Sequence, residues 1–272
     1  MSKYLAKIGL EMHCEISETN SKVFSSAKND YSQIPNSNIR PVDMAFPGIL
    51  PVVNKEAVRM ALMTSMVLNC SQPEYMYFER KNYYYPDLPK SYQISQYDKP
   101  LCNHGYVEID DENGNKKKIG ILRIHIEEDA GKLNHDEFGG DSLVDLNRAG
   151  VPLIEIVSMP DMSSAEEADR YLKKLKSILE YIEVSDCKMQ EGSFRADVNV
   201  SVKKKTDTKL GTRSEMKNMS SFRSITRGIE YEIERQIDLL EAGGKVLQET
   251  LRWDDVSGRT FSMRDKEDAQ DY

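Results

Sequence analysis

The stretch Ile8-Gly9-Leu10-Glu11-Met12-His13-Cys14-Glu15-Ile16 alternates apolar and polar residues without a miss. Successive side chains on a strand point to opposite faces. Ile8, Leu10, Met12, Cys14 and Ile16 therefore share an apolar face, and Glu11, His13 and Glu15 share a polar one. Phe194-Arg195-Ala196-Asp197-Val198-Asn199-Val200 repeats the pattern, with Arg195, Asp197 and Asn199 on its polar side. Leu122, Ile124 and Ile126 alternate in the same way with Arg123, His125 and Glu127. Together these segments predict an α+β fold: a large, mainly antiparallel sheet backed by helices on its apolar face. The opposite face becomes a floor of charged groups.

The helices are legible from their own period. One is predicted near residues 55–68, where Val58, Leu62 and Met66 fall at helical spacing. A second, near 164–182, begins with the capping box Ser164 and Glu167 and carries Leu172, Leu175, Leu179 and Ile182. A third, near 224–242, carries Ile225, Ile229, Ile233 and Ile237 and stops at Gly243-Gly244. All three stripes read as core-facing surfaces. Asn113-Gly114 supplies the tip of a hairpin over residues 110–118. Residues 134–141, with Gly139-Gly140, read as a flexible loop.

No apolar run approaches a membrane span, and no secretory leader is visible at the N-terminus. Cys14, Cys70, Cys102 and Cys187 form no C-x-x-C pair, which fits a reducing cytoplasm and speaks against a zinc knuckle. A net charge of -8 argues against broad electrostatic wrapping of nucleic acid.

The polar floor carries the chemistry. Glu11 and His13, two apart on one strand face, can converge on one ion, and carboxylates with one imidazole suit Mg²⁺ or Mn²⁺. The plain alternative is a solvated strand face with an incidental histidine. His125-Ile126-Glu127-Glu128-Asp129 adds acids at a strand end, and Ile154-Glu155-Ile156 sets one carboxylate inside an apolar strand. Such a carboxylate is costly unless it is paired or binds a metal. Neither a P-loop nor G-x-G-x-x-G occurs, so any nucleotide must be held by basic groups and metal ions on the sheet. Arg80, Lys81, Lys90, Arg148, Arg195 and Lys217 are the candidates, and each could equally be a surface charge or an ion-pair partner. Tyr83, Tyr84 and Tyr85, set between basic residues, could stack on a base or pack their loop onto the sheet.

These segments resemble the B subunit of the Asp/Glu-tRNA amidotransferases and its archaeal relative, the E subunit. The matching stretches run in the family's order: Ile8 to His13, Arg80 to Gln96, His125 to Lys132, Asp145 to Ser158, Glu191 to Val200 and Glu215 to Phe222. Met159, Ala196 and Ser91 depart from the family's usual residues. The resemblance implies a cradle-shaped, glutamine-synthetase-like catalytic domain over residues 1–272, with helical and tRNA-gripping tail domains lying beyond this sequence. It implies a cytoplasmic, glutamine-hydrolysing ligase that uses ATP and Mg²⁺ to phosphorylate the side-chain carboxylate of Glu-tRNA(Gln) or Asp-tRNA(Asn). Ammonia from a glutaminase subunit then forms the amide, and a small tethering subunit makes the assembly a heterotrimer. Carried over by position, Glu11, His13, Glu128 and Glu155 are the expected metal ligands. Glu127, which strict alternation prefers to Glu128, stays beside them. Asp197 and Arg195 join the catalytic group, and Lys81, Tyr83, Lys90, Arg148, Asn199 and Lys217 are the expected nucleotide contacts. Two other functions compete: a free-standing kinase or ligase for a small carboxylate or guanidino substrate, and a non-catalytic RNA-binding scaffold.

Overall fold

The computed structural model describes residues 3–30, 32–135 and 141–265. The alternating segment that opens the sequence reading forms β1 (Tyr4–Glu15). Its apolar side is buried from Ile8 to Cys14, and Ile16 just beyond the strand joins it. Helix α1 (Lys55–Val67) follows, then the short strands β2 (Glu79–Asn82) and β3 (Tyr92–Ser95). A long hairpin joins β4 (Cys102–Asp110) to β5 (Lys116–Glu128), and a small one joins β6 (Lys132–His135) to β7 (Ser142–Asp145). Next come β8 (Pro152–Ser158) and α2 (Ala165–Tyr181). The described chain ends with β9 (Phe194–Lys204), β10 (Arg213–Lys217), α3 (Phe222–Glu241), β11 (Glu249–Asp254) and β12 (Arg259–Asp265).

Among the described residues, eight strands form one sheet in the order β12-β11-β10-β9-β1-β8-β5-β4. β1 lies inside it, antiparallel to β8 on one side and to β9 on the other. β10 and β11 are parallel, and α3 is the crossover that a parallel pair requires. The expected hairpin tip forms where Gly114 takes a φ of 79° and the Asp111 carboxylate accepts from the backbone N–H groups of Asn113 and Asn115. The expected loop at 134–141 is shorter at its ends, because Asn134 and His135 pair with Leu143 and Ser142. Gly139 and Gly140 lie outside the described residues.

Helix α2 buries its apolar stripe in the core. Tyr171, Leu172, Leu175 and Leu179 are fully buried against the apolar side of the sheet. Burying each such side chain stabilises the fold by about 1.5–3 kcal/mol. Ser164 caps the helix by accepting from Glu167 N–H, and the Glu167 carboxylate reaches back to Ser163 N–H at 2.7 Å while pairing with Lys117.

The other two helices depart from the sequence reading. In α1 the buried face is Ala57, Met60, Ala61, Thr64 and Ser65, whereas Leu62 and Met66 are exposed. Small residues let this helix approach the sheet closely, and its larger stripe faces outward. In α3 the apolar stripe holds for Ile225 and Ile229, but the next two turns bury Glu232 and Gln236. Most of that burial is compensated: Arg235 grips the Glu232 carboxylate with two bonds, and the Gln236 amide donates to Glu232 and to Val200 O, while the Gln236 Oε1 has no partner. On β5, a bulge between Ile121 and Arg123 shifts the register, so Ile121 rather than Leu122 enters the core. The four cysteines are buried free thiols. No helix among the described residues is long and apolar enough to cross a membrane.

Candidate metal centre

Strand register maps the polar floor. Glu11 lies opposite Asp197 on β9 and Val157 on β8, while His13 lies opposite Arg195 and Glu155. Glu155 in turn faces His125 on β5, and Glu215 on β10 faces Asn199 on β9. Residues directly opposite on neighbouring strands bring their side chains together over the sheet. Two groups of donors result. Ligand atoms of His13, Glu127 and Glu155 lie within 4.8 Å of one another, and so do those of Glu11, Asp197 and Glu215.

In the first group, Glu155 is held as a carboxylate. Its Oε2 meets the Nε2 of buried His125, whose Nδ1 lies 2.8 Å from Gln96 O. Both partners are acceptors, so both ring nitrogens must carry a proton, which makes His125 an imidazolium. Burial pulls the His125 pKa down, but the facing Glu155 charge outweighs it and the net shift is upward. Burial likewise pushes Glu155 up, and the bond to His125 with the nearby His13 brings it well below the usual carboxylate range. Glu127 goes the other way: burial first, then repulsion from Glu155, raises its pKa. Its Oε2 accepts from Ser95 Oγ at 3.2 Å, and its Oε1 stands 3.8 Å from His13 Nε2.

In the second group, burial raises the Glu11 pKa, and the carboxylates of Glu155, Glu215 and Asp197 add to it. The Asn199 amide offsets part of this by donating to Glu11 Oε1 at 2.9 Å. The Asn199 carbonyl oxygen is buried without a hydrogen-bond partner. Lys217 donates to Asp197 at 2.6 Å and lies 3.6 Å from Glu215. The donor set fits a hard divalent cation: oxygens and one imidazole, mutual repulsion, and an orphaned buried carbonyl oxygen.

Glu128 requires a correction. It follows the parity of Ile124 and Ile126 and stands apart from both donor groups. Its carboxylate is spent on Lys90 Nζ and the backbone N–H of Ile94. Glu127 stands with His13 and Glu155, as strict alternation had placed it, and no strand-end bulge turns Glu128 onto the floor. Lys90 is accordingly an internal counter-ion and not a free cation over the floor. Arg148 is committed too, donating to Ala130 O and Gly131 O beside Asp129. Arg195 pairs with the same Asp129 at 2.8 Å. Burial raises the Asp129 pKa, but these two guanidinium groups more than reverse it and hold it low. Arg80 stacks over Tyr92 at 4.5 Å.

Lys81 and Tyr83 line a cleft of about 230 Å³ together with His13, Glu127, Glu155, Arg195 and Asp197. Burial and the surrounding carboxylates push the Tyr83 phenol to about 12, so it stays a hydroxyl donor. Tyr84 and Tyr85 are exposed. Sequence reasoning did not single out Glu215 as a donor. Its meeting with Glu11 depends on a register across three strands that local periodicity does not specify.

By architecture this is an α+β domain whose mixed, mostly antiparallel sheet presents one charged face. The family described as the GatB/GatE catalytic domain matches residues 6–272, and the chain belongs to that family. Among curated relatives it is similar to the aspartyl/glutamyl-tRNA(Asn/Gln) amidotransferase B subunit of Caldicellulosiruptor bescii, 58% identical over 270 residues, 99% of this chain and 56% of that protein. The same-named protein of Thermoanaerobacter pseudethanolicus is 59% identical over 270 residues, with the same coverage. That of Brevibacillus brevis is 52% identical over 272 residues, 100% of this chain and 56% of that protein. The chain thus spans about half the length of the curated relatives it matches.

Proposed function

We propose that this domain is the ATP-using part of a tRNA-dependent amidotransferase. It would activate the side-chain carboxylate of Glu-tRNA(Gln) or Asp-tRNA(Asn) by transferring the γ-phosphoryl group of ATP to an oxygen of that carboxylate, with ADP leaving. Ammonia would then attack the acyl carbon and expel phosphate. The observation that carries this reading is the pair of donor groups, His13 with Glu127 and Glu155, and Glu11 with Asp197 and Glu215, held side by side on rigid strands of a chain in this family.

Phosphoryl transfer to a carboxylate brings two anions together, and a divalent cation bound at these groups would neutralise that charge. The chain's own residues do the rest. His125 keeps Glu155 ionised at neutral pH. Lys217 holds Asp197 in place, and Asn199 orients Glu11. Lys81, at the cleft with no ion pair among the described residues, is free to meet a phosphate. The cleft is open, and an acyl phosphate is lost to water. A partner or the tRNA end must therefore cover it during turnover. A glutaminase subunit delivering ammonia, with a small tethering subunit holding the heterotrimer together, fits that requirement.

The test is amidation by the full complex carrying His13→Ala or Glu215→Gln. ATP-dependent amide formation is expected to disappear in both, with the glutaminase site chemically intact. Near-normal amidation by either variant rejects its role. ATP turnover that ignores aminoacyl-tRNA favours a small-carboxylate ligase instead.

A further inference from the structure

The floor is crowded with acids, and most of its bases are already paired with them. Lys217 serves Asp197, and Arg195 and Arg148 serve Asp129, while Lys81 lines the open cleft without an ion pair among the described residues. Arg123 is different. It lies on β5 opposite Val157 of β8, which in turn faces Glu11 on β1, and two positions before His125. Its charge reaches both Glu155 and His125. Yet among the described residues it makes no hydrogen bond and no ion pair, and its Nε is buried without a partner.

A buried guanidinium N–H left unsatisfied forfeits its hydration without recovering a hydrogen bond. Its neighbours offer acids that could have relieved it. The bulge between Ile121 and Arg123 sets this side chain's place in the sheet, and bulges commonly re-aim a side chain beside a functional site. A guanidinium presents a planar fork that matches an oxyanion with two parallel bonds.

We propose that Arg123 binds the oxyanion of the substrate over the sheet floor, either a phosphoryl group of ATP or the side-chain carboxylate that receives it. The inference rests on the phosphoryl-transfer reading above. Arg123 supplies a cation that the protein itself does not consume, next to the donor groups that hold negative charge apart. An oxyanion bound there would complete its hydrogen bonds.

The test uses the complete amidotransferase complex with Arg123 intact or as Arg123→Ala and Arg123→Lys. Binding of a non-hydrolysable ATP analogue is measured by calorimetry. Amidation is measured with ATP and with misacylated tRNA varied in turn. Arg123→Ala is expected to weaken analogue binding, or raise KM for the tRNA, by about ten- to hundredfold. Added guanidinium should restore part of the loss, and Arg123→Lys, which keeps the charge but not the fork, should fall between. Weakening confined to the analogue assigns the contact to the phosphoryl group, and a change confined to the tRNA assigns it to the carboxylate. Unchanged constants for both, or a loss that guanidinium does not restore, overturn the proposal. A wild-type complex that fails to amidate but binds the analogue in an Arg123-dependent way removes the amidation reading and leaves the contact standing.

Discussion

Replacing Glu155 by glutamine keeps the side chain's shape and removes its charge. In the structure that charge is the counter-ion of an imidazolium whose other nitrogen is committed to Gln96 O. His125 is buried, so the variant leaves it either as a cation without its counter-ion or as a neutral ring whose Nε2 can only accept from the new amide, and either way the ion pair is lost. Breaking one side of a buried pair costs about 3–5 kcal/mol. At about 2 °C per kcal/mol for a chain of this size, Tm should fall by about 6–10 °C. The pH dependence fixes the cause. The His125 pKa is raised above its ordinary 6.5, so its contribution is fully present below that value and is lost as pH rises through the folded value. The Glu155 pKa is lowered from 4.5, so its contribution holds above 4.5 and is lost as pH falls through the folded value. The gap between wild type and Glu155→Gln should therefore be widest at about pH 5–6.5 and narrow above it. Circular dichroism melts of metal-free protein at pH 5.5, 7 and 9 measure this. A Tm change of about 1 °C or less, the same at each pH, would refute the imidazolium–carboxylate pair.

Glu127 and Glu128 should respond in opposite ways. Burial and Glu155 raise the Glu127 pKa, so near pH 7 its charge opposes folding; Glu127→Gln should lift the metal-free Tm by about 1–4 °C while weakening Mn²⁺ binding. Glu128→Gln should instead cost about 3–5 kcal/mol in a denaturant titration by stranding the mostly buried Lys90, with Mn²⁺ affinity unchanged. Leu175→Ala, at a fully buried position of α2, should lose about 2–5 kcal/mol in the same titration with its m-value preserved.

Much of the fold was legible because two-residue alternation in β1, β5 and β9 sorts each strand into an apolar and a polar side. The α2 stripe and its Ser164 cap were legible for the same reason, since local period and capping chemistry agree there. The reading failed where packing overrode local pattern. Leu62 and Met66 share a helical stripe in α1, but Ala57 and Ala61 fit closer to the sheet. Leu122 continues the alternation on paper, and the bulge in β5 breaks it. For the site, alternation placed Glu127 with His13 and Glu155, whereas positional likeness to the family put Glu128 there. Alternation put Arg123 on the polar side but assigned it no role, and it assigned none to Glu215, because their significance lies in what does or does not stand opposite them. That depends on strand order and register, which nothing local in the sequence reports.

Manganese titration of this chain, followed by the electron paramagnetic resonance signal of free Mn²⁺, tests the donor groups most directly. Two ions should bind, His13→Ala should abolish one of them, and Glu215→Gln the other, each variant melting as a folded protein. Failure of Mn²⁺ to bind at millimolar concentration, or binding that neither variant alters, would contradict the account and leave the acids on the sheet as ion-pair partners alone.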